Sequence, residues 1–295
     1  MFGKGCGVRL LILFSMSCSL LTNEARGQSD TFSALGRQIV RLVEAHFYDA
    51  NRAGVWASRH ADYAAHADSL LTFASLTKNA LAELNTSHTD FYTPLEPDYY
   101  ALLSIFREAL GHERVEWESI GADFTSDHFV RVVFAGGPAH KAGLHRGDRI
   151  VAADEMEFDP IASFRSTNGR SVMLTVERKR GQPTINLPVI PRKVDPKQEW
   201  LEAQRAGSRI IARAGKKIAY APMFSCAGEE YFDALQETIS QNFQEASALI
   251  LDFRDGWGGC SPQFVNLFSP LPPVPIYTNR NGRQRKADAQ WRKAL

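Results

Sequence analysis

The sequence has almost no net charge. Its 34 Lys+Arg and 33 Asp+Glu leave +1. A dedicated nucleic-acid binder should carry a basic excess, so no nucleic-acid partner is expected. Glycine and proline are sparse, 21 and 14 of 295 residues, too few for a long low-complexity linker. No internal repeat is found. The H-E-x-x-H, C-x-x-C and P-loop patterns are all missing. His60 and His66 stand six apart, the wrong spacing for one helical face. No metal and no cofactor are therefore expected. What is present, 44% hydrophobic, 11% aromatic and 23% charged, is ordinary globular composition. Disorder, collagen-like and coiled-coil classes drop out. The length suits two domains, or three small ones.

The chain also lacks a bilayer-length hydrophobic run. Leu10–Leu21 is apolar for twelve residues, short of the about 20 that span comfortably. Lys4 and Arg9 precede it, and Ala25-Arg26-Gly27 offers a small-x-small cleavage site before Gln28. This is the three-part layout of a secretory signal peptide over residues 1–27. An uncleaved anchor is the alternative. A lipoprotein anchor at Cys18 is weaker, because Ser15-Met16-Ser17 is a poor lipobox. After cleavage no stable membrane span remains, and the protein is expected to be secreted or periplasmic. The leader takes away Cys6 and Cys18 and leaves Cys226 and Cys260. In an oxidising compartment these two can pair, though two free buried thiols fit equally well.

Residues 28–112 read as a helical domain. Phe32, Leu35, Ile39, Leu42, Val43 and Phe47 recur at spacings of three and four. Leu70, Leu71, Phe73, Ala74, Leu81 and Leu84 form a second stripe ending near Asn85. A third segment follows Pro97 and stops at Gly111. From about residue 114 the pattern changes to short strands, at 115–117, 129–134, 150–152, 172–176 and 185–189. A short helix is expected at 139–142. The region 113–193 is thus a compact β-rich domain. Pro191–Gly207 is polar, holds two prolines and reads as a linker. In 194–295, strand 217–221, a helix carrying Phe232, Leu235, Ile239 and Phe243, and the apolar strand 248–251 spell a βαβ unit. Its two strands should be parallel and buried. Arg280–Leu295 holds six Lys/Arg and one acid, Asp288, which reads as a solvated hairpin or helix.

Three segments carry a family resemblance. Gly137-Pro138-Ala139-His140-Lys141-Ala142-Gly143-Leu144-His145-Arg146-Gly147-Asp148-Arg149-Ile150 resembles the PDZ pattern S/G-P-A-x-x-A-G-L-x-x-G-D-x-I. Pro138 starts a short helix, Gly143 ends it, Leu144 plugs the core, and Gly147-Asp148 turns into the next strand. PDZ modules capture peptide C-termini by adding a strand to a sheet edge. The resemblance puts the carboxylate loop in Trp117–Phe124. Gly121 would let the backbone approach, Ile120 and Phe124 would line the side-chain pocket, and Ala122 belongs to the same peptide-binding segment. The alternative is a plain strand and loop inside the barrel.

The segment Asp252-Phe253-Arg254-Asp255-Gly256-Trp257-Gly258-Gly259 resembles the D-L-R-x-N-x-G-G segment of the C-terminal processing peptidases, or tail-specific proteases. That family places a PDZ domain before a crotonase-like (ClpP-like) α/β core, the order found here. The resemblance implies an α/β multidomain protein and assigns oxyanion stabilisation to Gly258 and Gly259. Gly256 replaces the usual asparagine, and Trp257 is unusual.

The run Ser87-His88-Thr89 resembles the tricorn-like branch of the same superfamily. There His88 would be the general base and Ser87 its orienter. The alternative is a loop histidine at a helix end. The family's nucleophilic serine and its lysine, in a G-T-A-S-like segment, have no match in 267–295, and Ser261 comes too early. The expectation is an exported serine-peptidase-like protein that binds polypeptide C-termini. It is either truncated, a pseudo-peptidase, or completed by another chain. The rival is a peptide-binding protein without catalysis. The oligomeric state stays open.

Overall fold

The computed structural model describes residues 25–260 continuously, with side chains from 31, together with 12–13, 267, 276–278 and 284–286. Most of the expected leader, residues 1–27, and most of 261–295 lie outside the described residues. The fold is mixed α/β and divides into two compact units: the first runs up to Pro94 and also takes the described tail residues 276–278 and 284–286, and the second begins at Leu95.

The first unit contains β1 (Ile12–Leu13), helices α1 (Ala25–His46), α2 (Ala50–Arg59) and α3 (Leu70–Ala82), and β2 (Phe91–Tyr92). β1 and β2 pair in parallel. The helix α1 includes the three residues read as the cleavage site. Its stripe is real: Phe32, Ile39, Val43 and Phe47 are buried with Trp56, Phe73, Leu81 and Phe91. Asp49 caps α2 by accepting the N–H groups of Asn51 and Arg52, each at 3.1 Å, and Ser69 caps α3 through Thr72. The Trp56 indole N–H donates to the Ala80 carbonyl at 2.6 Å and ties α2 to α3.

Backbone proximity fixes one position here. A Cβ on Gly36 would stand 2.6 Å from that of Ala64. Gly36→Val should therefore destabilise the chain by about 1–3 kcal/mol through overpacking. Chemical denaturation of the intact chain checks this, and an unchanged midpoint would contradict the close approach.

The second unit begins with α4 (Pro97–Phe106). The helix ends at Phe106 and a turn carries the chain to Gly111, whose φ is +73°. Strands β3 (Trp117–Ser119), β4 (Ala122–Phe124) and β5 (Val130–Val133) follow, then α5 (Pro138–Lys141). Next come β6 (Arg149–Ala153), β7 (Met156–Glu157), β8 (Val172–Glu177), β9 (Ile185–Val189) and β10 (Arg192–Val194). Strands β4 and β5 pair antiparallel, β10 pairs with β3, and the order β7-β6-β8-β9 forms a third sheet. Ile120, Val130, Leu144, Ile150, Phe158 and Leu174 fill the core these sheets share. Leu144 plugs that core as its position after Gly143 predicts. Asp148 is buried, but it accepts the Arg178 guanidinium at 2.8 and 3.0 Å and the His145 N–H at 2.9 Å. Burial opposes its ionisation, yet these donors hold its pKa below the usual carboxylate range.

The expected linker at 191–207 is a strand and a helix. Asp195 caps α6 (Pro196–Gly207), accepting the Lys197 and Gln198 N–H groups at 2.9 and 3.3 Å, with Pro196 in the first turn. Asp195 also accepts the Ser104 hydroxyl of α4 at 2.8 Å. Two prolines in a polar segment suggest a linker, whereas Pro196 follows the Asp195 cap and starts the helix. Glu199, Ala203 and Gly207 recur every fourth residue on its buried face, beside Trp200 and Gln204.

Two strands then form a hairpin, β11 (Arg209–Arg213) and β12 (Lys216–Pro222). Helix α7 (Glu229–Asn242) leads to β13 (Ala248–Asp252), which pairs in parallel with β12. The βαβ order is as expected. The burial of β13 is not: Ile250 is 47% exposed and Phe253 beyond it 43%. Only the face toward Ala219, Ala221, Leu235 and Phe243 is covered among the described residues. In the tail, β14 (Ile276–Thr278) and β15 (Gln284–Lys286) pair antiparallel. Among the described residues no helix is long and apolar enough to cross a membrane.

Candidate functional site

The chain leaving β13 turns at the end of the sheet and runs back beside the segment that follows β12. Backbone bonds fix this path. The Asp252 carbonyl accepts the Met223 N–H at 2.9 Å, the Trp257 N–H donates to Phe224 O at 2.8 Å, and Gly258 O accepts the Cys226 N–H at 2.8 Å. Trp257 stacks on Trp200 of α6, with ring centroids 5.7 Å apart. The unusual tryptophan thus anchors the loop to the helix that the sequence hid.

Cys226 and Cys260 form a disulfide across the same loop, with Cα atoms 4.4 Å apart. Gly258 and Gly259 have φ of +75° and +85°, a region costly for residues with a Cβ. A Cβ on Gly259 would also lie 2.9 Å from that of Ala227. Both glycines are exposed, and among the described residues neither N–H donates a hydrogen bond. Two N–H groups on a pinned loop at the end of a sheet suit an anion or a developing oxyanion.

Charge surrounds the start of the loop. Asp252 accepts the Tyr220 hydroxyl at 2.8 Å and the Arg254 Nε at 2.8 Å. Arg254 holds the Asp252 carboxyl well below the usual range. Arg146, from the turn after α5, pairs with Asp255 at 2.9 Å. A cavity of about 260 Å³ lies here, lined by Arg146, Arg209, Tyr220, Asp252, Arg254 and Asp255 among others.

The sequence-derived peptide-binding residues sit on the turn between β3 and β4 and on β4 itself. Ile120 and Ala122 are buried in the core shared by the small sheets, and Phe124 is half-buried, its ring edge-on to Phe158 at 5.0 Å. Gly121 has φ of +74°. Its close approach is to other backbone: a Cβ there would meet Gly137 Cα at 3.2 Å and Pro138 Cδ at 3.3 Å. Strand β4 pairs only with β5, so its other edge is open among the described residues. A second cavity, about 270 Å³, borders β3 and is lined by Tyr100, Trp117, Glu118, Ile161, Arg165 and Lys193 among others.

Ser87 and His88 belong to the first unit. They are exposed, in the loop after α3, and Ser87 Oγ lies 2.8 Å from His88 Nδ1. With Nδ1–H donating to Ser87 Oγ, Nε2 is the acceptor nitrogen; in the other tautomer the Ser87 hydroxyl donates to Nδ1 and Nε2 carries the proton. Gly258, Gly259 and the 120–124 segment all belong to the second unit.

One buried acid escaped the sequence reading. Glu199 faces Ser119 and Arg192 behind the Gly121 turn. Its signal was the four-residue spacing with Ala203 and Gly207, visible only once 196–207 is read as a helix.

No family model matches the chain, and no curated protein does. Solved structures are similar to it at low identity. A photosystem II D1 C-terminal processing protease is 18% identical with a TM-score of 0.42, covering 78% of this chain and 62% of that one. An S41 protease from Bacteroides fragilis is 20% identical with a TM-score of 0.39, covering 60% of this chain and 54% of that one. An HtrA-type protease, AlgW with a decapeptide, is 21% identical with a TM-score of 0.24 over 32% of this chain and 35% of that one. The chain therefore spans 62% and 54% of the length of the first two.

Proposed function

We propose that this chain is an exported, serine-peptidase-like protein of the C-terminal processing class that captures polypeptide C-termini. One observation carries the reading. A single compact unit holds both a strand edge at 122–124 that is open among the described residues and a pinned loop whose N–H groups at 258–259 have no described acceptor. In this reading 113–193 is a PDZ module and 194–295 belongs to a crotonase-like core. A peptide adds to β4 as a new strand, and the turn at Ile120, Gly121 and Ala122 receives its terminal carboxylate, with Phe124 beside its side chains. The Cys226–Cys260 disulfide suits an oxidising, extracytoplasmic compartment.

The chemistry would follow an acyl-enzyme route. A serine hydroxyl attacks the amide carbonyl as a general base takes its proton, and the tetrahedral oxyanion would rest on the Gly258 and Gly259 N–H groups. The resemblance gives the base role to His88 and its orientation to Ser87. The proton then passes to the leaving amine, and water releases the acyl group. Among the described residues the only serine bonded to a histidine is Ser87, to which the resemblance gives an orienting role. That observation favours the second reading, peptide binding without catalysis.

Two assays on the intact chain separate these readings. Saturable binding of a labelled free-carboxylate peptide, abolished by C-terminal amidation, is expected; equal binding of the amidated peptide would refute capture of C-termini. Cleavage of a C-terminally tagged reporter, lost in His88→Ala, would establish the peptidase. Binding without cleavage would leave the binding protein.

A further inference from the structure

The most deeply buried carboxylate in the second unit is not used by that reaction scheme. Glu199 is 1% exposed, in the first turn of α6. Its Oε2 accepts the Ser119 hydroxyl at 2.8 Å. The same hydroxyl accepts the Gly121 N–H at 2.9 Å. A continuous chain therefore runs from the carboxyl through one hydroxyl to the turn before β4.

The carboxyl's other oxygen is only weakly held. Among the described residues Glu199 Oε1 has no partner in good hydrogen-bond geometry, and Arg192 Nε is likewise buried without one; what faces Oε1 is the Arg192 guanidinium. Arg192 Nη2 stands 3.5 Å away, while its Nη1 is committed to Glu202 at 2.7 Å. A Cβ on Gly121 would lie 3.6 Å from Oε1, so this oxygen sits directly behind the turn. The surroundings hold few charges. β3 contributes Ser119, β10 contributes Arg192, α6 itself contributes Glu202, and Gly137-Pro138 at the start of α5 bring none. An anion so placed is costly. Burial pushes the Glu199 pKa up to about 7, against the Ser119 bond and the Arg192 charge.

We propose that Glu199 is a positioning residue whose proton controls how the Ser119–Gly121 turn receives a peptide carboxylate. This rests on the reading of 120–124 as a peptide-binding edge. Two effects act in the same direction. When ionised, Glu199 is a negative charge behind the turn and repels a second carboxylate brought to its front. It also compels the Ser119 hydroxyl to donate toward it, which keeps the Ser119 oxygen facing the Gly121 N–H and withholds that N–H from the ligand. When protonated, the carboxyl carries no charge and can itself donate. Ser119 can then turn, and the Gly121 N–H is released. Capture of a C-terminus should tighten as the pH falls through about 7. The peptide's own carboxylate stays ionised across that range.

The test is a pair of titrations on the intact chain and on Glu199→Gln between pH 5.5 and 8.5. The first follows binding of a fluorescein-labelled peptide ending in a free alanine carboxylate. Its dissociation constant should rise by about tenfold from pH 6 to pH 8 in the parent, about one pKa unit of coupling, and stay flat in the variant. A histidine would give a slope that survives in Glu199→Gln. The second follows the Gly121 amide resonance without ligand. It should titrate with a midpoint near 7 in the parent, and not in Glu199→Gln or in Ser119→Ala, which cuts the relay and leaves the acid. A slope common to parent and variant, or a Gly121 amide that does not move, overturns the proposal. Absence of binding at every pH removes the peptide-binding reading and the ligand of this inference with it. A Gly121 titration that survives that outcome would still separate the two failures.

Discussion

Replacing Cys226 and Cys260 together by serine will lower the stability of the second unit by about 4 kcal/mol. The two cysteines are 34 residues apart, and the bond closes a loop containing α7 and β13. Cross-linking a loop of that length removes unfolded-state freedom worth about 4 kcal/mol in the chain-entropy account. Neither cysteine is replaceable by packing alone. Cys226 is buried beside Met223 and Leu235, whereas Cys260 is exposed. The cost should therefore appear as a lower denaturation midpoint in urea for the double variant, and reductant should bring the parent to the same midpoint while leaving the variant unmoved. A parent indifferent to reductant would show that the bond contributes nothing. The functional consequence lies beside it. Gly259 immediately precedes Cys260, and both glycines occupy left-handed backbone. Unpinning Cys260 should loosen the two N–H groups before the rest of the sheet, so any activity of the loop should fall at denaturant concentrations where the core around Leu144 is intact.

The elements with strong local signals were legible, and those fixed by distant partners were not. The stripe Phe32, Ile39, Val43, Phe47 is a plain helical period and packs as one. Leu144 and Asp148 occupy the places their motif gives them, because the turn glycines beside them leave few alternatives. Helix 196–207 was hidden by composition. Its buried face carries an acid, a tryptophan, an alanine and a glycine, so apolar periodicity hardly registers. The strand 248–252 reads as buried because four of its residues are apolar, yet burial depends on what covers the sheet, which periodicity cannot express. At the site, the glycine loop was found from its own residues. Its supports were not: Trp200, Arg146 and Cys226 come from 34 or more positions away in the chain. Gly121 was read as leaving room for a ligand, and its neighbours Gly137 and Pro138 occupy the side where its Cβ would have been.

Glu199→Gln should stabilise the second unit at pH 8 by about 3 kcal/mol and change it little near pH 4.5. The sign follows from linkage. The ordinary glutamate value is 4.5 and the folded value is pushed up to about 7 by burial. Between those pH values the folded chain keeps a proton that the unfolded chain has released. Stability from this group is therefore highest below about 4.5, falls as pH rises to about 7, and is level above it. At about 1.4 kcal/mol per unit the total loss is about 3 kcal/mol. Glutamine keeps an acceptor for the Ser119 hydroxyl and carries no charge at any pH, so the slope should vanish. Asp148 and Asp252 work in the opposite direction, since their pKa values are lowered and their contribution is lost only as pH falls below the ordinary value of 3.8. The two windows do not overlap. Urea denaturation at pH 5 and pH 8 for parent and variant gives four midpoints, and the expected result is a gap between the chains that opens as pH rises. The converse, a variant weaker than its parent at pH 8, would mean that Arg192 at 3.5 Å repays the burial of the charge. In that case Glu199 would be an ion-pair anchor for α6 and β10, ionised throughout, and the turn at Gly121 would hold its shape across the same range of pH.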